Sequence, residues 1–203
     1  MDNGPRTADY GLLLLGGLLL AAAFAGAFGP DRTRATARVV VAEYAVACAL
    51  MLLLRPGEWA SAAGRGRLVR GLWLLGAASF WVHVATAYGE YHHWSHAAAV
   101  EHTREVSGVG EGIYVSYLFG LAWTADALCW WARPARYAAR PAWVGWVVHG
   151  FLAFIVFDGT AVYEGGPIRW AGVAIFGVLA ALLVRRWTAP VTEATTASPR
   201  SDR

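Results

Sequence analysis

The sequence predicts an all-α fold, a polytopic transmembrane helical bundle of about six spanning helices, and three observations carry that prediction. The chain is 57% hydrophobic and only 15% charged, too apolar for an ordinary soluble domain. Its apolar residues fall into runs of near membrane-spanning length, separated by short connections rich in Gly, Pro and Arg. All 17 basic residues are arginine, and they are spread unevenly among those connections. At 203 residues the length suits one transmembrane domain, residues 1–186, followed by a polar tail, 187–203, expected to be disordered and cytoplasmic.

In chain order, the first span is Tyr10 to Phe28, closed by Gly29-Pro30. The second, Val39 to Leu54, is short and reaches full length only by extending through Arg38; Arg55-Pro56-Gly57 ends it. The third runs from Gly71 to Tyr88 and the fourth from Ile113 to Trp131, before Arg133-Pro134. The fifth, Trp143 to Phe157, gains length by continuing from Asp158 to Val162. Gly165-Gly166-Pro167 then sets Pro167 in the first turn of the sixth, Ile168 to Val184. Twelve arginines fall on the side of the two termini and five on the other, which predicts cytoplasmic termini. Trp130, Trp131, Trp143 and Trp187 gather at the inner ends, and Tyr88, Tyr91, Trp94, Tyr114 and Tyr163 at the outer ends, as interfacial anchors do. The expected location is a bacterial inner membrane, with membrane lipids as partners.

Composition excludes several functions. Without lysine there is no retinal Schiff base and no pyridoxal phosphate linkage. The arginines are scattered rather than gathered on one solvated face, so no nucleic acid partner is expected. Cys48 and Cys129 lie far apart inside apolar runs, as small buried hydrophobes rather than a redox pair.

Chemistry concentrates where the third span ends. Glu90, His92, His93, His96 and His102 crowd the segment Glu90-Tyr91-His92-His93-Trp94-Ser95-His96 through Glu101-His102. At 100° per residue, Ser79, His83, Thr86, Glu90 and His93 share an arc of about 80°. Such a stripe faces the bundle or a water-filled cavity, not lipid. Glu90 and His93 have the Glu-x-x-His spacing that binds one metal from a single helix, and His92 and His96 are four apart. On a continuous helix those two pairs diverge. Either Glu90 and His93 alone join the site, or, the preferred reading, the helix breaks near Ser95, whose hydroxyl caps a new one. Each motif alone is more often a solvated interface residue; their overlap beside an intramembrane His83 points to metal.

Deeper inside, Asp126 needs a partner on another helix, since Arg133 at i+7 is too distant. His149 lies mid-span, and with His83 it permits bis-histidine ligation of haem b as a minor alternative. Glu43 reads as an interface residue, and Glu164 as a salt-bridge partner for Arg169.

The run His93-Trp94-Ser95-His96, Glu101-His102-Thr103, Gly110-Glu111-Gly112-Ile113-Tyr114, Tyr117-Leu118-Phe119, Asp126 and Trp130-Trp131 resembles a pattern in uncharacterised bacterial multi-pass membrane proteins, which implies no known activity. Membrane di-iron desaturases need more histidine boxes, on the opposite side. Intramembrane zinc hydrolases of the ceramidase and adiponectin-receptor superfamily are similar in residue types, Ser79 to His83, Asp126 and His92 to His96, but not in their order.

The resulting expectation is a metal-dependent membrane enzyme, a hydrolase or oxidoreductase, acting on a lipid-soluble substrate near the outer face. Glu90, His93 and His96 lead as ligands of Zn, Fe or Cu, with His92 or His102 next; His83, Asp126 and His149 are the catalytic or proton-handling candidates. The alternative is a proton- or ion-coupled carrier that uses His83, Asp126 and His149. A scaffold whose polar groups only set helix packing is the third reading.

Overall fold

A computed structural model describes residues 7–29 and 31–188, all helices and connections with no strand among them. The six long helices are α1 (Thr7–Phe24), α2 (Arg32–Leu53), α4 (Gly64–Glu90), α6 (Gly112–Ala132), α8 (Ala142–Phe157) and α9 (Gly166–Thr188); α3 (Pro56–Ala60), α5 (His96–Ser107) and α7 (Pro134–Ala138) fill the connections. Every predicted apolar run is one of the long helices. Among the described residues, four are long and apolar enough to cross a membrane: α2, α4, α8 continued to Val162, and α9. Many large apolar side chains stay exposed, Leu14, Leu18, Phe154 and Val178 among them, an outward face suited to lipid rather than water.

Local chemistry explains the boundaries. Asp31 caps α2 by accepting from the Arg34 amide at 2.8 Å, so that helix begins seven residues before its apolar run. Pro56 and Pro134 occupy first-turn positions, and the two predicted loops there are short helices instead. Past Phe157 the chain continues as one π turn, Asp158–Val162, completing the fifth span as expected. α4 stops at Glu90, and the Ser95 hydroxyl accepts from the Ala98 amide to start α5, which is the predicted break. Between them His93 (φ 45°) and Trp94 (φ 61°) both take the left-handed region, uncommon for side chains of this size. Trp187 and Thr188, expected in the tail, are helical, and Trp187 packs 5.3 Å from Trp146. Residues 189–203, Pro30 and the first six residues lie outside the described ones.

α4 is the hub, touching α1, α2, α3 and α6. Its centre holds an aromatic layer in which Tyr44, Trp73 and Trp123 stand 5.0–5.7 Å apart, all fully buried. Gly76 permits it: a Cβ there would lie 2.7 Å from Trp123 Cζ2. Toward the arginine-rich end, Trp59, Trp130 and Tyr137 stack at 4.8 and 5.0 Å. Cys48 is partly buried, whereas Cys129 is exposed on the outward side of α6, contrary to expectation; both are free thiols. Arg169 reaches the Glu164 backbone carbonyl at 2.9 Å rather than its carboxylate.

Candidate functional site

The polar side chains inside the bundle form two clusters, on opposite sides of the aromatic layer. His83 and Trp73 are ten residues apart on α4, about 15 Å along the axis. His83 belongs to one cluster, Asp126 and His149 to the other. They do not make a single path, and the two histidines do not face one another as haem ligation requires.

In the cluster nearer the arginine-rich end, Asp126 is buried on α6, its side chain 3% exposed. Trp73 Nε1 donates to Oδ2 at 2.9 Å, the Tyr137 hydroxyl to the same oxygen at 2.8 Å, and Arg140 Nη1 to Oδ1 at 2.6 Å. The carboxylate is thus matched by one cation and two neutral donors, the condition for keeping a charge in a low dielectric. Trp73 on α4 is the expected interhelical partner. The compensating charge, however, is Arg140, which the chain brings back by turning through α7. Burial, and next the Asp126 charge, push the Tyr137 phenol well above its usual range.

Arg140 Nη2 also donates to the Tyr137 oxygen at 2.7 Å and lies 3.2 Å from His149 Nε2. Arginine can only donate, so His149 Nε2 accepts, which assigns its ring proton to Nδ1. Asp126, Arg140 and Tyr137 therefore orient one edge of this imidazole. The side chain is still 27% exposed, and it lines a cavity of about 700 Å³ between α2, α8 and α9. Cys48 and Met51 of α2 and Phe176 and Leu183 of α9 give this cavity apolar walls; Arg140, His149 and Arg186 supply its polar groups. Arg186 Nη1 donates to the carbonyls of Met51, Leu52 and Leu54 at 3.0–3.1 Å. That closes the C-terminus of α2, and no carboxylate neutralises Arg186 among the described residues. Volume and wall chemistry are those of a small-molecule site.

The other cluster is a polar seam between α2 and α4. Ser79, His83, Thr86 and Glu90 do share one face, and that face meets α2. His83 Nδ1 stands 3.1 Å from the Thr33 carbonyl, which can only accept, so the ring donates there; Thr36 Oγ1 is 3.3 Å away. Glu90 receives the Thr33 amide at 3.1 Å, the Thr33 hydroxyl at 2.9 Å and a hydrogen bond from Arg32. It closes the N-terminus of α2, a favourable place for an anion.

The histidine run is therefore dispersed. His93 has left the helix and is exposed, off the stripe on which its spacing placed it. His96 sits among three tyrosines, with Tyr88 and Tyr117 hydroxyls 3.2 and 3.1 Å from Nδ1 and Tyr114 3.4 Å from Nε2. His92 is 6% exposed, its Nδ1 has no hydrogen-bond partner, and its ring is 5.3 Å from that of His102. Burial, then the His102 and His93 charges, hold His92 below the usual imidazole value. Among the described residues no three His, Cys, Asp or Glu side chains converge on one ion position.

Sequence reasoning missed Tyr137, Arg140 and Arg186. Tyr137 is in α7 and Arg140 lies two residues past its end, so no helical period links them, and the arginine reads in the sequence as one more loop charge marking topology. Comparison with protein-family models, with curated proteins and with solved structures returned no match.

Proposed function

We propose that this is a six-span protein of a bacterial inner membrane, with both termini cytoplasmic, which binds an acidic lipid-soluble molecule in the cavity between α2, α8 and α9. The observation that carries this reading is the pairing of apolar walls with Arg186 and an oriented His149. Apolar lining accepts a chain or ring from the bilayer; the un-neutralised guanidinium favours a negatively charged end. His149, held by Arg140 and Tyr137, is the group positioned for proton transfer to or from that ligand.

The test is photolabelling of the purified protein with a long-chain fatty acid that carries a diazirine. Label is expected on α8 and α9 peptides, displaced by unlabelled fatty acid and not by the corresponding alcohol. Ala153→Phe, which fills the cavity without touching a charge, should abolish it. Equal competition by the alcohol, or labelling unaffected by the filled cavity, refutes the reading.

A second reading, metal binding at the outer run, is supported by His92, whose buried Nδ1 lacks a partner beside His102. Zinc, iron or copper would then be held by His92 and His102, with Glu90, His93 and His96 outside the first set of ligands. Elemental analysis of His92→Ala against His93→Ala and His96→Ala separates the possibilities: metal lost only in the first supports it, and no bound metal in wild type excludes it.

A further inference from the structure

Glu43 is the one carboxyl in the described interior with nothing to balance it. It lies on the buried face of α2, 7% exposed, and neither Oε1 nor Oε2 has a hydrogen-bond partner; the Ser79 hydroxyl of α4 is also buried and unpartnered. α1 closes over it at Gly16, where a Cβ would stand 3.0 Å from Oε1. From Gly11 to Phe24, α1 adds no titratable group. α4 adds His83, whose Nδ1 is committed to the Thr33 carbonyl. On α2 itself, Arg38 lines the same small cavity but makes no ion pair with Glu43 among the described residues. An ionised carboxylate here would have no counter-charge and at most the neighbouring Ser79 hydroxyl as a donor, a cost far above that of the Arg140-paired Asp126.

That cavity, about 350 Å³ with walls of Leu19, Phe28, Ala35, Val39 and Ala42, lies against Glu43. Apart from Arg38 and Glu43 its lining is apolar, and so it offers lipid-phase access and poor hydration for a charge. From Ser79 the α2–α4 seam continues through His83 to Glu90, about 16 Å along α4, roughly half the hydrocarbon thickness of a bilayer. On the other side the layer of Tyr44, Trp73 and Trp123 separates Glu43 from the Asp126 cluster.

We infer that Glu43 is a proton-binding site within the membrane, reached by lipid-phase molecules through the α1–α2 cavity and exchanging its proton with the Glu90 side along the seam. The site is a carboxylic acid at rest, and its ligand is the proton. This does not depend on the fatty-acid reading of the other cavity.

The probe is dicyclohexylcarbodiimide, which partitions into membranes and requires a protonated carboxyl. The acid O–H adds across one C=N bond: its proton goes to nitrogen, its oxygen bonds to the central carbon, and an oxygen-to-nitrogen acyl shift leaves a stable N-acylurea with no leaving group. Full-length protein in sealed, uniformly oriented vesicles is treated, and peptides are mapped by mass. One adduct is expected, on Glu43, absent from Glu43→Gln, while the ion-paired Asp126 stays unlabelled. Above the site's midpoint the labelling rate should fall about tenfold per pH unit, as for a single proton, and follow pH only in the compartment on the Glu90 side. A water-soluble carbodiimide should spare Glu43 and mark exposed Glu101 and Glu105. An unlabelled Glu43 in folded wild-type protein overturns the site, labelling of Asp126 at the same rate overturns the contrast on which it rests, and dependence on the opposite compartment's pH overturns the seam as its path. Because wild-type protein carries each of these measurements, misfolding of the Gln variant would not shield the inference.

Discussion

Replacing Arg140 by Met should be far more damaging than the loss of a loop arginine ordinarily is. Asp126 would keep Trp73 and Tyr137 as donors but lose its only cationic partner among the described residues, at 2.6 Å, with its own side chain 3% exposed. Removing one member of a buried pair costs about 3–5 kcal/mol, because the remaining charge is left uncompensated. Interhelical hydrogen bonds in membrane proteins average about 0.6 kcal/mol, since the unfolded chain in lipid also finds partners. The charge places Arg140→Met near the lower end of the first range, about 3 kcal/mol. Asp126→Asn strands Arg140 instead, whose side chain is 20% exposed and can turn toward the cavity. Its cost should be about 1–2 kcal/mol. The double variant, with no charge left, should be more stable than Arg140→Met alone, giving a coupling of about 2 kcal/mol. Reversible unfolding in mixed micelles, followed by tryptophan fluorescence, measures all three. An Arg140→Met cost below about 1 kcal/mol, or a coupling indistinguishable from zero, would refute the claim that Asp126 is a charge held by Arg140.

Other outcomes follow from local geometry. Gly76→Ala sets a Cβ 2.7 Å from Trp123 and should cost about 1–3 kcal/mol by overpacking, whereas Gly17→Ala, with nothing within 4 Å, should be neutral or slightly stabilising; equal melting temperatures would contradict the close approach. His93→Gly removes a side chain from φ 45° and should gain about 1 kcal/mol, read as a raised melting temperature. For Asp31, burial works against the charge, but bonds from the Arg34 amide and the Tyr91 hydroxyl and the charges of Arg34 and Arg38 outweigh it, so the carboxyl sits below its ordinary value. Burial and then Asp31 push Tyr91 up to about 12. A lowered carboxyl stabilises above its unfolded value and loses that contribution as pH falls through the folded one. Asp31→Ala should therefore cost about 1 kcal/mol at neutral pH, the worth of a helix cap, and the gap from wild type should close on acidification; a gap independent of pH would show that the charge is not involved.

Much of the architecture was legible because it depends on short-range rules. Six apolar runs became six long helices of 16 to 27 residues, because a helix satisfies the backbone of an apolar stretch from within the stretch itself. The stop after Glu90 and restart at Ser95 were readable because a cap is settled within four residues. That Ser79, His83, Thr86 and Glu90 share a face follows from helical period alone. His93 failed that extrapolation, since the period applies only while the helix lasts. The partners could not be read in the same way. Glu90 looked like half of a metal motif and instead closes the N-terminus of a helix whose Thr33 is 57 residues away. Glu43 looked interfacial because depth was judged along one helix, and α1 laid across it decided otherwise.

By itself the sequence determined an all-helical membrane chain, the break between Glu90 and Ser95, the side of α4 that is polar and the absence of any lysine chemistry, all matters of composition, period and capping. Only the tertiary structure decided that the polar stripe meets α2, that Arg140 returns to Asp126, that an aromatic layer divides the polar interior, and that an oriented His149 opens on a cavity. Those pairings depend on the rotation and tilt of each helix against its neighbours. Packing of large side chains such as Trp73 and Trp123 over glycines sets these, and no local pattern encodes them.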